Sequence, residues 1–259
     1  MNKKSFKYLD LLYPVIALGL VLILCAITAK AVGSELIFPK LSSMFKAFFN
    51  LLTQKTFYVS VSTTLGRILL SFIISFACAL VLAIISAIFD GVGKVSTILA
   101  SIMRAIPTMS IILLALIWLS TLNAPMLVAI LVIFPLQFSG ILNAIKNVDP
   151  RLIEMANVYK VPIKKKILSL YLPETSKDIF STIRSTISLN VKLIIAAEVM
   201  AQTRDSMGLQ MQQASMYLEM HVLFAWTIMA IILGLMLEGV VLGIEKLCQR
   251  GGVRWLLKI

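Results

Sequence analysis

Apolar runs of about 20 residues recur along this chain, and no other feature limits its fold so strongly. A helix needs about that many apolar residues to cross the hydrocarbon core of a bilayer. A membrane β-barrel would instead show alternating segments of about 10 residues, and the sequence has none. Composition points the same way. Of 259 residues, 59% are hydrophobic and 14% are charged, against about 45–50% and ~25% in a soluble domain. The expected fold is all-α: a polytopic membrane protein in which lipid is the solvent.

Six spans are expected. The first covers residues 11–29, behind Lys3, Lys4 and Lys7. Ala29-Lys30-Ala31 resembles a signal-peptidase site, but the run is long enough to span, so it is read as a transmembrane helix. Residues 32–56 hold a short amphipathic helix in the interface, with Leu41, Met44, Phe45, Phe48, Phe49 and Leu52 at helical spacing. The second span covers 59–89, and Asp90 to Lys94 is read as a turn. The third covers 95–119 and is interrupted by Pro107. The fourth covers 126–145, the fifth 179–201 and the sixth 222–244. A polar loop is expected from 201 to 219, and a basic tail closes the chain. No linker divides it, so residues 1–259 are read as one membrane domain.

The net charge of +12 raises the question of nucleic acid. The cations, however, lie between the apolar runs, where they set topology. Lys94, Lys146, Arg151, Lys160, Lys164, Lys165, Lys166, Lys177, Lys246, Arg250, Arg254 and Lys258 fall on the side of the N-terminus. Lys30, Lys40, Lys46, Lys55 and Arg204 fall on the other. By the positive-inside rule both termini are cytoplasmic, in a cell membrane, and no nucleic-acid partner is expected. Cys25, Cys78 and Cys248 have no metal or disulfide spacing, and His221 stands alone, so no metal centre is expected. Asp90-Gly91-Val92-Gly93-Lys94 lacks the first glycine and the Ser/Thr of a phosphate loop.

A polar insert at about 147–177 breaks the oil. Asp149 and Pro150 suit an N-cap and a first helical turn. Leu152, Met155, Ala156 and Tyr159 then make an apolar stripe at helical spacing. So short a helix outside the membrane is either a basic topology anchor or a plug for a groove on another protein.

Glu154-Met155-Ala156, Lys160, Leu170 and Leu172-Pro173 resemble the "EAA" motif of binding-protein-dependent ABC importer permeases. That pattern reads Glu-Ala-Ala, three residues, Gly, nine residues, Ile, one residue, Leu-Pro, and the spacing here fits without a gap. Further similar elements follow in family order: "FPKLSSMFKAF" (38–48), "TTLGRILLSF" (63–72), "RAIPTMS" (104–110), and "AAEVM" (196–200) with Met207-Gly208-Leu209. "VDPRLIE" (148–154) resembles the branch handling nitrate, sulfonates, taurine and thiamine precursors. Two departures matter. Met155 replaces the first Ala, and Lys160 stands where the family has Gly. A lysine takes a left-handed conformation only at a cost, so a differently shaped bend is expected.

The resemblance implies a type I importer permease fold with the insert as coupling helix. Glu154, Met155, Ala156, Lys160, Leu172 and Pro173 would then meet an ABC ATPase subunit dimer, which holds the ATP and Mg; this chain needs no cofactor and is no enzyme. A second permease copy, as a homodimer, and an extracytoplasmic solute-binding protein complete the implied assembly. The implied solute is small and polar, anionic or vitamin-like.

Polar residues inside spans are candidates for the translocation pathway. They are Arg104, Pro107, Asn190, Lys192 and Glu198, with Lys192 the best candidate for a solute or gate contact. Arg67 and Arg184 lie near span ends, where they can snorkel. An ion-coupled secondary transporter is the alternative, but it needs intramembrane carboxylates, and Glu198 is nearly alone, with Glu238 toward the far end. No catalytic constellation supports a membrane enzyme.

Overall fold

A computed structural model describes residues 33–256 together with 13, 16, 19, 20 and 23–31. Among the described residues there is no strand. Residues 23–31 are helical, and the rest of the expected first span lies outside the described residues. The chain then runs through α1 (Leu41–Leu52), α2 (Lys55–Ile88), α3 (Asp90–Ala105), α4 (Thr108–Trp118) and α5 (Ala124–Lys146). It continues through α6 (Pro150–Val158), α7 (Ile163–Lys166), a π turn (Ile167–Tyr171), α8 (Leu172–Ala201), α9 (Met207–Met216) and α10 (Met220–Leu256). Among the described residues four helices are long and apolar enough to cross a membrane, and five if α3 and α4 count as one broken span.

Two compact units divide the chain. The first combines the described part of Met1–Tyr58 with Gln210–Met229. Its centre is aromatic: Phe57 lies 5.4 Å from Trp226, and Phe38 lies 5.2 Å from Phe224. Helix α1 buries Met44, Ala47 and Leu51 and leaves Phe45 and Phe49 exposed.

The second unit combines Val59–Leu209 with Ala230–Ile259. Its helices reverse the usual amphipathic sense. The buried face of α2 carries Ser60, Thr64, Ile68, Ser71, Ser75, Ala79, Ala83 and Ser86, while Leu69, Leu70, Ile73, Ile74, Val81 and Ile84 stand exposed. In lipid the exposed face gains nothing by being polar, and small or polar residues serve best where helices meet. Ala79 and Ala83 accordingly pack with Ala100 of α3 and Phe138, Ile141 and Leu142 of α5. Ile111, Ile112 and Ala115 of α4 pack with Val128 of α5 and Ala197 of α8.

The expected third span is two helices bent by 92°. Proline drives the residue before it out of the helical region. Ile106 is extended, with φ −71° and ψ 127°, and Pro107 follows at φ −60° and ψ 129°. Two extended residues in succession make a break instead of a kink. At 1.5 Å per residue the halves are about 24 and 16 Å long, each short of a core of about 30 Å.

Two expectations need correction. Residues 90–94 are the first turns of α3, not a loop, with Asp90 in the first turn to complement the helix dipole. The glycine there serves close approach: a Cβ on Gly93 would stand 2.7 Å from the Ser86 carbonyl oxygen. The expected polar loop at 201–219 contains helix α9. These contacts set opposite signs for neighbouring substitutions. Gly91 has open space around it, so Gly91→Ala should raise the thermal midpoint in detergent slightly through helix propensity. Gly93→Ala should lower stability by about 1–3 kcal/mol, as overpacking does.

Candidate functional site

The polar insert folds in two parts. Asp149 caps α6 by accepting a hydrogen bond from the Arg151 amide at 2.9 Å, satisfying a donor the helix itself leaves free. The expected apolar stripe is split between two faces. Ala156 is buried and Leu152 half-buried, whereas Met155, Val158 and Tyr159 are exposed beside the exposed Glu154. Positions 155, 158 and 159 are neighbours on a helix surface, so three apolar side chains and a carboxylate form one uncovered patch.

Lys160 ends α6. Its φ is +48°, in the left-handed region. The Val161 amide donates to the Ala156 carbonyl and the Lys160 amide to the Asn157 carbonyl, both at 3.0 Å. This is the Schellman pair that normally calls for glycine. The lysine therefore adopts the conformation expected of glycine, and the bend keeps that shape despite the substitution. Lys166 Nζ donates to Asn157 Oδ1 across the bend, and Pro162 follows, where a helix cannot continue.

Beyond the bend, helical structure runs without interruption from α7 through the π turn into α8. Leu172 and Pro173, both exposed, sit inside this run instead of closing the insert. Pro173 has no N–H for the carbonyl four residues earlier, and its ring crowds that carbonyl. A π turn directly before it widens the helix at the required place. The second half of the insert is thus the continuation of a membrane span.

Glu198 lies at the other end of α8. It is fully buried and receives Arg67 Nη1 at 2.7 Å, Thr64 Oγ1 at 3.0 Å and the Gly208 amide at 3.2 Å. Thr64 Oγ1 also accepts from the Met207 amide at 3.0 Å. Gln202, at φ +48°, turns the chain after α8, and Ser206 Oγ accepts from the Leu209 amide at 3.0 Å to start α9. A Cβ on Gly208 would stand 2.4 Å from the Cβ of Glu198, so only glycine lets this loop close on the carboxylate. Arg67, expected to snorkel, is instead the partner of Glu198.

The same seam continues along α2. Asn190 Nδ2 donates to the Ile68 carbonyl at 2.8 Å and to Ser71 Oγ at 3.2 Å. Ser75 Oγ donates to Gln137 Oε1 at 2.7 Å. Sequence reading singled out Asn190 and Glu198 but not their partners Thr64 and Ser71, nor the Ser75–Gln137 pair beside them, and it left Arg67 at a span end. The signal was the helical spacing of polar residues from 60 to 75.

The remaining candidates stand apart. Arg104 is exposed near the end of α3 and donates to Ser101 Oγ at 3.1 Å, and Pro107 is exposed at the break. Arg184 reaches Glu245 of α10 at 3.6 Å. Lys192 is exposed on α8, and among the described residues no carboxylate or hydrogen-bond acceptor meets it. A lysine at the centre of a span facing hydrocarbon costs about 2.5–3.5 kcal/mol.

Two outcomes follow for variants read by thermal unfolding in detergent. Glu198→Ala strands Arg67 and should cost about 3–5 kcal/mol, with the double replacement of Arg67 and Glu198 by Leu recovering part of the loss. Lys160→Gly removes the left-handed strain and should stabilise by about 1 kcal/mol while leaving the bend intact.

Comparison with known proteins places this geometry in a family. Residues 79–247 match the family described as binding-protein-dependent transport system inner membrane component, a stretch holding the insert, Asn190 and Glu198 but not their α2 partners at 64–71. No curated protein matches the sequence significantly. Among solved structures, one similar chain comes from the crystal structure of a bacterial ABC transporter involved in the import of the acidic polysaccharide alginate. It aligns with a TM-score of 0.60 at 16% identity, covering 94% of this chain and 97% of that one. Such a likeness speaks for the fold, that of a type I ABC importer permease. Since the match takes in more than half of its length, this chain belongs to the family of binding-protein-dependent transport system inner membrane components.

Proposed function

We propose that this chain, acting as one permease domain, forms the solute pathway of an ATP-driven importer, with α6 as the surface that receives work from a separate ATPase. The supporting observation is the uncovered patch of Met155, Val158 and Tyr159 beside Glu154, on a helix too short to fold for its own sake. Burying each large apolar side chain on a partner is worth about 1.5–3 kcal/mol. A groove taking this helix gains affinity from those three, and orientation from the carboxylate.

The route for mechanical work is short. α6 connects through Lys160 and Pro162 to the helical run that becomes α8. A push on α6 therefore reaches a membrane span through a few residues of bend. ATP and Mg act on the partner subunits, and their binding shifts the permease between inward- and outward-open states only if those states hold α6 differently. The positive-inside asymmetry supports cytoplasmic termini and a cytoplasmic α6 in the cell membrane. Membership of the family supports a second permease copy, an ABC ATPase subunit dimer and an extracytoplasmic binding protein as partners, with a small polar, anionic or vitamin-like solute.

Co-expression with the ABC ATPase proposed as its partner, followed by affinity purification, tests this reading. Tyr159→Asp and Glu154→Arg should release the ATPase and abolish uptake while the permease stays folded and inserted. Uptake that continues in either variant, or with no ATPase present, overturns it.

A further inference from the structure

Most outward-facing surface of the second unit suits lipid. The exposed residues of α2 include Leu69, Leu70, Ile73, Ile74, Val81, Ile84 and Ile85, and those of α3 include Val95, Ile98, Leu99 and Ile102. Helix α8 is different. Along its uncovered side lie Asp178 in the polar first part, then Ser181, Ser185, the half-buried Ser188, Lys192 and Ala196, and the large apolar residues exposed on the helix are Leu172 near its start and Met200 near its end.

Lys192 is nine residues before the end of α8 at Ala201, which places it about 14 Å along the axis from that end. This is near the middle of a core of about 30 Å. A lysine stem is too short to bring its ammonium to the interface from there. Lys192 is exposed there, whereas among the described residues the half-buried cations of this unit's spans are matched, Arg67 by Glu198 and Arg184 by Glu245. Intramembrane cations that lack a protein partner face water-filled cavities, and rings of Lys or Arg favour anions in pores.

We infer that the Ser181–Ser185–Ser188–Lys192 face of α8 lines an aqueous path, and that its lysine selects a solute carrying an oxyanion. The inference rests on the permease reading above and narrows its solute to negatively charged compounds. The serine hydroxyls both donate and accept, so they hydrate the path without adding charge; Asp178 stands one turn outside this stretch, and Lys192 supplies the sign at the depth of the hydrocarbon core. In a homodimer the path would contain the lysine twice, which strengthens the attraction for an anion and the exclusion of cations. The field acts where low-dielectric walls concentrate it, so its effect on the local anion concentration is larger than at an open surface.

Thiol labelling tests this without knowledge of the solute. In the full chain, co-expressed with its partners in membrane vesicles and with Cys25, Cys78 and Cys248 changed to Ser, Ser188→Cys places a probe one helical turn from Lys192. Two small reagents of opposite charge are compared: 2-sulfonatoethyl methanethiosulfonate and 2-(trimethylammonio)ethyl methanethiosulfonate, with and without ATP. The sulfonate should react faster by about ten-fold or more, normalised to each reagent's rate at the exposed loop position Ser120→Cys. That preference should vanish in Lys192→Met and persist in Lys192→Arg. Equal normalised rates, or a preference that survives Lys192→Met, overturn the role of the lysine. A probe closed to both reagents in every condition, while Ser120→Cys reacts, overturns the aqueous path. None of these results depends on α6, so ATPase release by Tyr159→Asp judges the permease reading separately.

Discussion

A carboxylate buried in a membrane protein must find its partners within the protein, because hydrocarbon offers none. Glu198 meets that demand with an arginine and a threonine from α2 and a backbone amide from the start of α9. Three separate stretches of chain are thereby held at one point. The requirement then spreads outward. Gly208 must lack a side chain for the loop to approach, Gln202 must turn left-handed to bring it back, and α2 must direct its polar face inward. Asn190 and Gln137 extend the same seam between helices, so the interior of this unit is held by hydrogen bonds as much as by shape.

The seam also marks what is rigid. Helix α8 is fastened at its far end by Glu198 and continues, through a π turn, into the polar insert at its near end. Proline in the motif does not break this continuity; the wider turn accommodates the missing N–H and the ring. The bend lies instead in the short stretch around Lys160 and Pro162, where α6 joins. The face of α8 turned away from the seam is the one that carries Lys192, so fastening and proposed solute contact share one helix on opposite sides.

Much of this was legible from residue order. Long apolar runs located α2 and α5 to within a few residues, together with the end of α8 and the start of α10, because hydrocarbon tolerates so little else over about 30 Å; the polar extensions of α8 and α10 were not legible. Asp149-Pro150 announced the start of α6, because the free amides of a first turn need a side-chain acceptor there. The helix at 207–216 was missed because a polar, uncharged sequence carries no strong periodicity. The early start of α3 was missed because two glycines look like a turn, whereas Gly93 serves a close contact with Ser86. Lys160 was misjudged for a related reason: residue type states a preference for backbone angle, and two hydrogen bonds at the helix end outweighed it.

Sequence alone determined that this is a helical membrane protein with a polar, motif-bearing insert, since apolar run length and motif spacing are local properties that lipid and backbone geometry act on directly. Tertiary structure decided which polar residues are matched and which remain uncovered. Arg67 and Lys192 look alike in the sequence, each a cation in an apolar run. Only the approach of α2 to the end of α8, between residues 131 positions apart in the chain, assigns the carboxylate to Arg67 and leaves Lys192 without one.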